Sequence, residues 1–214
     1  MPAPTKIAMK EQYGVSNFCY AVHPKDGDTV EEFKPGTVKS GGWTAKININ
    51  ITQELKKIFR DNRNSKTIYG TPIKEILFDL SLLPLDVRKE LLGEYVTEDG
   101  ALFGGGGAFI PPVVSVAFEF DDTDDEKEYF WFLRGTFSLP NREANSRNEG
   151  VETNGNEYKF TPEDTIHVFQ NGGKPRDSVV MYSSNDKYDL TKWYDTVVTP
   201  DNYKTVLAKT TQTT

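Results

Sequence analysis

The sequence predicts a mainly β fold, a β-sandwich with a short flanking helix, and three observations predict it. Apolar residues alternate with period two over two long stretches: Trp43, Ala45, Ile47, Ile49 and Ile51, then Val114, Val116, Phe118 and Phe120. That period belongs to a half-buried strand. Aromatic residues make up 12% of a chain whose hydrophobic content is only 36%, which suits a thin core built on large rings. Finally, residues 111–139 read as a hairpin whose second arm is apolar on both sides at its start. Tyr129, Trp131 and Leu133 share one face, and Phe130 and Phe132 the other. Such an arm needs cover on both faces, from a second sheet, a helix or a neighbouring subunit.

The elements follow in order. Residues 1–13 are polar and mixed and are expected to form an arm outside the fold. A first strand covers 15–23, with Phe18, Tyr20 and Val22 opposed to Asn17, Cys19 and Ala21, and the Pro24-Lys25-Asp26-Gly27-Asp28 turn ends it. Residues 29–39 are a weak strand or a loop. After the strand ending at Thr52, residues 53–66 are ambiguous. Leu55, Ile58 and Phe59 have helical spacing, and Glu, Leu and Lys favour helix. Residues 61–65 read as a loop, and 75–83 as a strand with Ile76, Phe78, Leu80 and Leu82 inward.

Residues 84–92 predict the short helix: Pro84 suits the first turn, Asp86 the positive end of the dipole, and Gly93 the stop. Val87 and Leu91 form its expected buried stripe. Residues 94–107 read as a loop containing Gly104 to Gly107. The acidic run from Asp121 to Glu126 is the solvated tip of the central hairpin. Residues 140–157 form a long polar arm. Residues 158–160, 165–169 and 178–182 are short strands with turns at 171–173 and 183–186. The segment 190–198, with Trp193 and Tyr194, docks on the body, and the Thr-rich end fades into a tail. This gives one domain over 14–199 between an arm at 1–13 and a tail at 200–214.

Composition narrows function. A net charge of −7 and a pI near 5.0 oppose tight binding of double-stranded DNA, although such a surface suits a wall past which DNA slides. Mean hydropathy is −0.57 and no apolar run has the length of a membrane span. The first fourteen residues lack the apolar core of a signal peptide. Cys19 is the one cysteine, so no internal disulfide forms and a reducing compartment is expected.

No catalytic, cofactor-binding or metal-binding residue is assigned. The acidic run lacks the mid-loop glycine and closing Glu of an EF-hand. The glycine run leads into a strand rather than a helix or a Gly-Lys-Ser/Thr ending. His23 and His167 are too few for a zinc cluster. Cys19 and His23 share a strand face but stand about 13 Å apart along it, too far for a thiolate–imidazole pair. Nothing singles out a carboxylate pair for glycoside hydrolysis. The run Tyr129 to Phe132 spans both strand faces, which fits packing better than an exposed stacking platform.

Five stretches resemble, in this order, the major tail proteins (tail tube proteins) of long non-contractile-tailed bacteriophages, the siphophages. Tyr13-Gly14-Val15-Ser16-Asn17-Phe18-Cys19-Tyr20-Ala21-Val22 resembles the opening strand, and Lys57-Ile58-Phe59-Arg60-Asp61-Asn62 the following apolar-aromatic-x-Asp-Asn loop. Leu83-Pro84-Leu85-Asp86-Val87-Arg88-Lys89-Glu90-Leu91-Leu92-Gly93, followed by Glu98-Asp99-Gly100, resembles the short helix and its loop. Phe132-Leu133-Arg134-Gly135-Thr136-Phe137-Ser138-Leu139, with the polar run to Phe160, resembles the core strand and long arm, and Lys192-Trp193-Tyr194-Asp195 the C-terminal element. The match runs with gaps from Tyr13 to Val198. The glycine run and Thr-rich end depart from the family, and a helix at 53–59 would conflict with its extended chain there.

The resemblance implies a β-sandwich with a flanking helix and long assembly loops, in a structural virion protein without catalytic activity. It implies self-assembly into stacked hexameric rings that form the tail tube, the conduit for DNA ejection. Its partners would be copies of itself and other tail proteins such as the tape measure and tail terminator. DNA would pass without specific binding, no cofactor or membrane would take part, and the protein would reside in the virion tail after synthesis in the bacterial cytoplasm. Unprotected sheet edges fit such assembly, since copies meeting head to tail close them. The alternatives are another tail ring protein (terminator or neck) and a monomeric carbohydrate-binding sandwich.

Overall fold

The computed structural model describes residues 11–60, 63–80, 83–103, 110–140 and 156–209. The strands are β1 (Gln12–Val22), β2 (Lys39–Ser40), β3 (Thr44–Thr52), β4 (Leu55–Arg60), β5 (Arg63–Tyr69), β6 (Ile73–Leu80), β7 (Tyr95–Val96) and β8 (Leu102–Phe103). They continue with β9 (Val114–Asp122), β10 (Lys127–Phe132), β11 (Gly135–Phe137), β12 (Asn156–Pro162) and β13 (Ser178–Tyr182). The helices are α1 (Leu85–Leu92) and α2 (Tyr203–Val206). All the named strand pairs are antiparallel.

Two sheets face each other, one ordered β13-β10-β9-β1-β2 and the other β11-β12-β6-β3. The mainly β, sandwich-like class predicted from the sequence is the one observed. Between the sheets lies a core of rings. Phe78 reaches across to Phe18 at 4.9 Å and to Phe118 at 5.8 Å between centroids, and Phe132 meets Phe160 at 6.5 Å. These tilted and edge-on contacts are the ones the ring quadrupole favours.

The expected long arm 129–139 is not one strand. β10 ends at Phe132, and after Leu133 and Arg134 the chain crosses into the opposite sheet as β11. Gly135 permits the crossing. A Cβ there would lie 2.5 Å from the Thr161 carbonyl oxygen and closer still to the Phe160 ring.

The outer face of β9 and β10 is covered from within. Ala117, Trp131, Leu133 and Met181 pack under Phe169, Trp193, Val197, Val198 and Leu207 in a second core. Trp131 Nε1 donates to the Trp193 carbonyl at 3.0 Å, so the largest ring buries without an orphan donor. The docking segment expected at 190–198 does this work, but it does not end the fold. α2 follows, Leu207 is fully buried, and Asp189 N donates to Leu207 O at 2.8 Å. The tail expected from 200 is thus ordered through Leu207. At the other end Gln12 pairs with Asp122, so the fold begins inside the arm expected at 1–13.

Other expectations shift. Residues 55–60 are extended, settling the ambiguous stretch, and Arg63 to Ser65 belong to β5 rather than to a loop. Helix propensity yields there to pairing with Thr67, Ile68 and Tyr69, which fit a pleated surface. The loop 94–107 carries the small β7–β8 hairpin. Residues 165–169 are not a strand; the Asp28 carboxylate instead takes the Ile166 and His167 amides at 2.9 and 3.0 Å. In α1, Leu91 and Leu92 are fully buried, and Arg88 is buried with them by its 2.5 Å pairing to Glu94. Gly93 ends the helix at φ 63°, donating to Lys89 O. Leu82, the glycine run, and the arm and tail segments at 1–10, 141–155 and 210–214 lie outside the described residues.

Gly135→Ala is expected to lower the unfolding free energy in urea by roughly 2–3 kcal/mol, as overpacking at a rigid crossing does. An unchanged midpoint would show that the crossing tolerates a side chain.

Candidate assembly surface

Two buried polar clusters and one projecting surface are candidates for function. The first cluster surrounds Glu119, which is almost fully buried on the outer face of β9. A bulge in β1, with Asn17 at φ 56°, turns both Ser16 and Asn17 toward it. Ser16 Oγ and Asn17 Nδ2 each donate to Glu119 Oε1 at 2.9 Å, Lys127 Nζ donates to the same oxygen, and Tyr194 Oη donates to Oε2 at 2.9 Å. Burial pushes the Glu119 carboxyl upward, but the donors Lys127, Tyr194 and Ser16 together outweigh it and hold it below the usual range. Beside it, burial and the Glu119 charge push the Cys19 thiol up to about 11, so it stays protonated and unreactive. This cluster fastens the C-terminal cover to the sheet, and the carboxylate is buried within it.

The second cluster contains a serine–histidine contact that sequence spacing did not show, because 92 residues separate the partners. His23 Nε2 lies 2.8 Å from Ser115 Oγ, and Ser115 Oγ donates to the Leu133 carbonyl at 2.5 Å. The pair is not arranged for nucleophilic catalysis. Ser115 is fully buried, its proton is committed to a carbonyl, and His23 Nδ1 has no orienting carboxylate among the described residues. Burial lowers the imidazole pKa and keeps the ring neutral. Nearby Asp28 is spent on two backbone amides and the Arg134 guanidinium.

Among the described residues, no three His, Cys, Asp or Glu side chains are placed to hold a metal, and no helix is long and apolar enough to cross a membrane. Phe130, Trp131 and Phe132 are buried, so the aromatic run presents no open platform.

The projecting surface is the β4–β5 hairpin. β3 and β6 pair from Thr44↔Leu80 to Thr52↔Ile73, and β4 and β5 resume from Leu55↔Tyr69 to Arg60↔Arg63. The two pairs form one long antiparallel ribbon. Gln53 Nε2 donates to Gly70 O at 2.8 Å and Gly70 N to Glu54 O at 2.9 Å, bridging the break. Among the described residues, β12 accompanies β6 only as far as Ile76, and β4 and β5 pair with each other alone. Beyond the sandwich the ribbon therefore has two open edges. It extends about 25 Å past Thr52 at the usual strand rise.

Its apolar residues are not covered: Ile51, Leu55, Ile68, Tyr69 and Ile73 are between 43% and 65% exposed. The alternation from Trp43 to Ile51 predicted an inward face, but only Ile47 is buried and Trp43 is 88% exposed. A register shift between Thr44 and Lys46 disrupts the start of the strand, and at Ile51 the ribbon has already left the second layer. No protein-family model matches the chain, and no curated protein matches it.

Glu119→Gln is expected to cost about 2–3 kcal/mol at pH 7, because it leaves Lys127 and Tyr194 without their carboxylate. The folded-state carboxyl titrates below the unfolded one, so its stabilisation is complete above the ordinary Glu range and is lost as pH falls through the folded value. The stability gap between the two proteins in urea should therefore narrow as pH falls below the ordinary Glu range. A gap that is constant with pH would remove Glu119 from this role.

Proposed function

We propose that this chain is a structural virion protein whose copies assemble into stacked hexameric rings, the tail tube of a siphophage through which DNA leaves the capsid. The observation that carries the reading is the projecting β4–β5 hairpin. Among the described residues it has two open edges and exposed Leu55, Ile68 and Tyr69. A long, partly apolar strand with an unpaired edge is an aggregation hazard in a monomer and a joint in an assembly. Six such hairpins around an axis pair edge to edge and close a barrel, which leaves no edge open. The family resemblance at Tyr13 to Val22, at the short helix and at Lys192-Trp193-Tyr194-Asp195 supports the same reading.

The physical ground for assembly differs from the one the sequence suggested. The two-faced central hairpin is satisfied inside the subunit, so it is not the contact surface. The exposed, basic and partly apolar ribbon takes that role. A carbohydrate-binding module has less support, since the aromatic run it would use is buried. A terminator or neck protein shares the self-association and parts from a tube protein in whether rings stack.

In negative-stain microscopy the purified chain is expected to form rings or tubes as concentration rises. Replacing residues 53–72 with Asn-Gly, which closes β3 on β6 with a two-residue turn, should abolish assembly. It should change the unfolding free energy by no more than about 1 kcal/mol. A strict monomer at high concentration in every salt would overturn the reading.

A further inference from the structure

We propose that the folded chain joins Lys127 to Asn17 by an amide bond between their side chains, with Glu119 as the acid–base group and ammonium as the leaving product. The site is the first polar cluster, and it does not depend on the assembly reading. An amine, a carboxamide and a carboxyl group that touches both meet there. Lys127 Nζ and Asn17 Nδ2 each donate to Glu119 Oε1, the second at 2.9 Å. Two hydrogen bonds to one oxygen hold the two nitrogens within about 6 Å of each other. The looser partner of Lys127 is Asp121 Oδ1, at 3.6 Å.

Strand order makes the meeting possible. β9 lies between β10 and β1, and Glu119 pairs with Tyr129 on one side and Ser16 on the other. Lys127 stands two residues before Tyr129, so it shares the outer face with Glu119. Asn17 follows Ser16, so a regular pleat would turn it to the opposite face. The bulge between Ser16 and Cys19, with Asn17 at φ 56°, brings it back. Left-handed backbone is uncommon outside glycine. Here it carries a carboxamide to an acid that Ser16, Lys127 and Tyr194 already satisfy.

The contacts in this cluster are those of the reactant. Glu119 Oε1 takes one proton from the Lys127 ammonium across their hydrogen bond. The freed lone pair of Nζ attacks Asn17 Cγ, so that the Nζ–Cγ bond forms and the Cγ–Nδ2 bond breaks. Nζ sheds a second proton by the same route. Nδ2 takes both protons and leaves as ammonium, and Glu119 ends as the carboxylate it was at the start. Nothing is oxidised or reduced. Amides resist amines in water, and fixed proximity is what overcomes that resistance. The hydrogen bond to Glu119 holds Lys127 above the ordinary lysine range, so the neutral amine is scarce and the reaction is slow. Glu119 is almost fully buried but Asn17 is exposed, so ammonium leaves directly to water. The product ties β1 to β10 across β9.

The test is the intact mass of the full chain, purified folded and then held for several days. It should fall about 17 Da below the mass of the sequence, the loss of one ammonia. A tryptic digest should then contain a branched peptide that joins the Asn17 segment to the Lys127 segment. Lys127→Arg keeps a cation on Glu119 but cannot form the bond, and it should hold the full mass. Glu119→Gln should slow the loss at least about a hundredfold, because an amide cannot relay the proton. A folded, unaltered chain that keeps its full mass overturns the proposal. So does a gain of about 1 Da at Asn17, which would mean that water reached Cγ before the amine. An ammonia loss that persists in Lys127→Arg also overturns it, since Asn17 would then have closed on its own backbone.

Discussion

A strand pair that is apolar on both faces must be covered twice, and most of this architecture follows from that requirement at β9 and β10. On one side Val114, Val116, Phe118, Phe130 and Phe132 call for a second sheet, which β6 and β12 supply with Ile76, Phe78 and Phe160. On the other, Trp131 and Leu133 call for a lid, and the irregular chain around Phe169, Trp193, Val198 and Leu207 supplies it. Each large side chain so removed from water contributes on the order of 1.5–3 kcal/mol. Irregular backbone serves as a lid only if it is pinned, and the Glu119 cluster and the Trp131–Trp193 bond pin it.

Satisfying both faces internally moves the subunit's remaining demand elsewhere. The sandwich body needs no neighbour for its core. What stays unmet among the described residues is backbone pairing along a ribbon that leaves the body where β12 stops following β6. Such pairing is strong between copies and specifies little chemistry, which agrees with the absence of a serviceable nucleophile at Ser115 and His23. Under the proposed assembly, stability and association reside in different parts of the molecule, so each can be altered without the other.

Much of the fold was legible in the sequence, because period-two alternation survives wherever one layer covers one face. β6, β9 and β13 stand where their patterns placed them, and Gly93 ended the helix as its conformational freedom required. The misreadings have physical causes. The run 129–139 alternates without a break, and only the crowding of Gly135 against Phe160 and Thr161 reveals the crossing between sheets. Residues 55–60 carry helix-forming side chains, yet cross-strand pairing outweighs propensity. Leu207 lies in a Thr-rich stretch that resembles a tail, and a single buried leucine gives no periodicity to detect. The candidate assembly surface was not legible: the acidic run at 121–126 is plain in the sequence, but the projection of β4 and β5 beyond the sandwich is a property of topology alone.

The central claim, that the core is self-sufficient and the unmet pairing is confined to the projecting hairpin, is tested most directly by amide hydrogen exchange at low and high protein concentration. The account predicts that β4 and β5 amides exchange fast in the dilute subunit and become protected on assembly, while β9, β10 and the lid around Trp193 are slow throughout. Protection that rises instead at β9 and β10, with the hairpin unchanged, would contradict it.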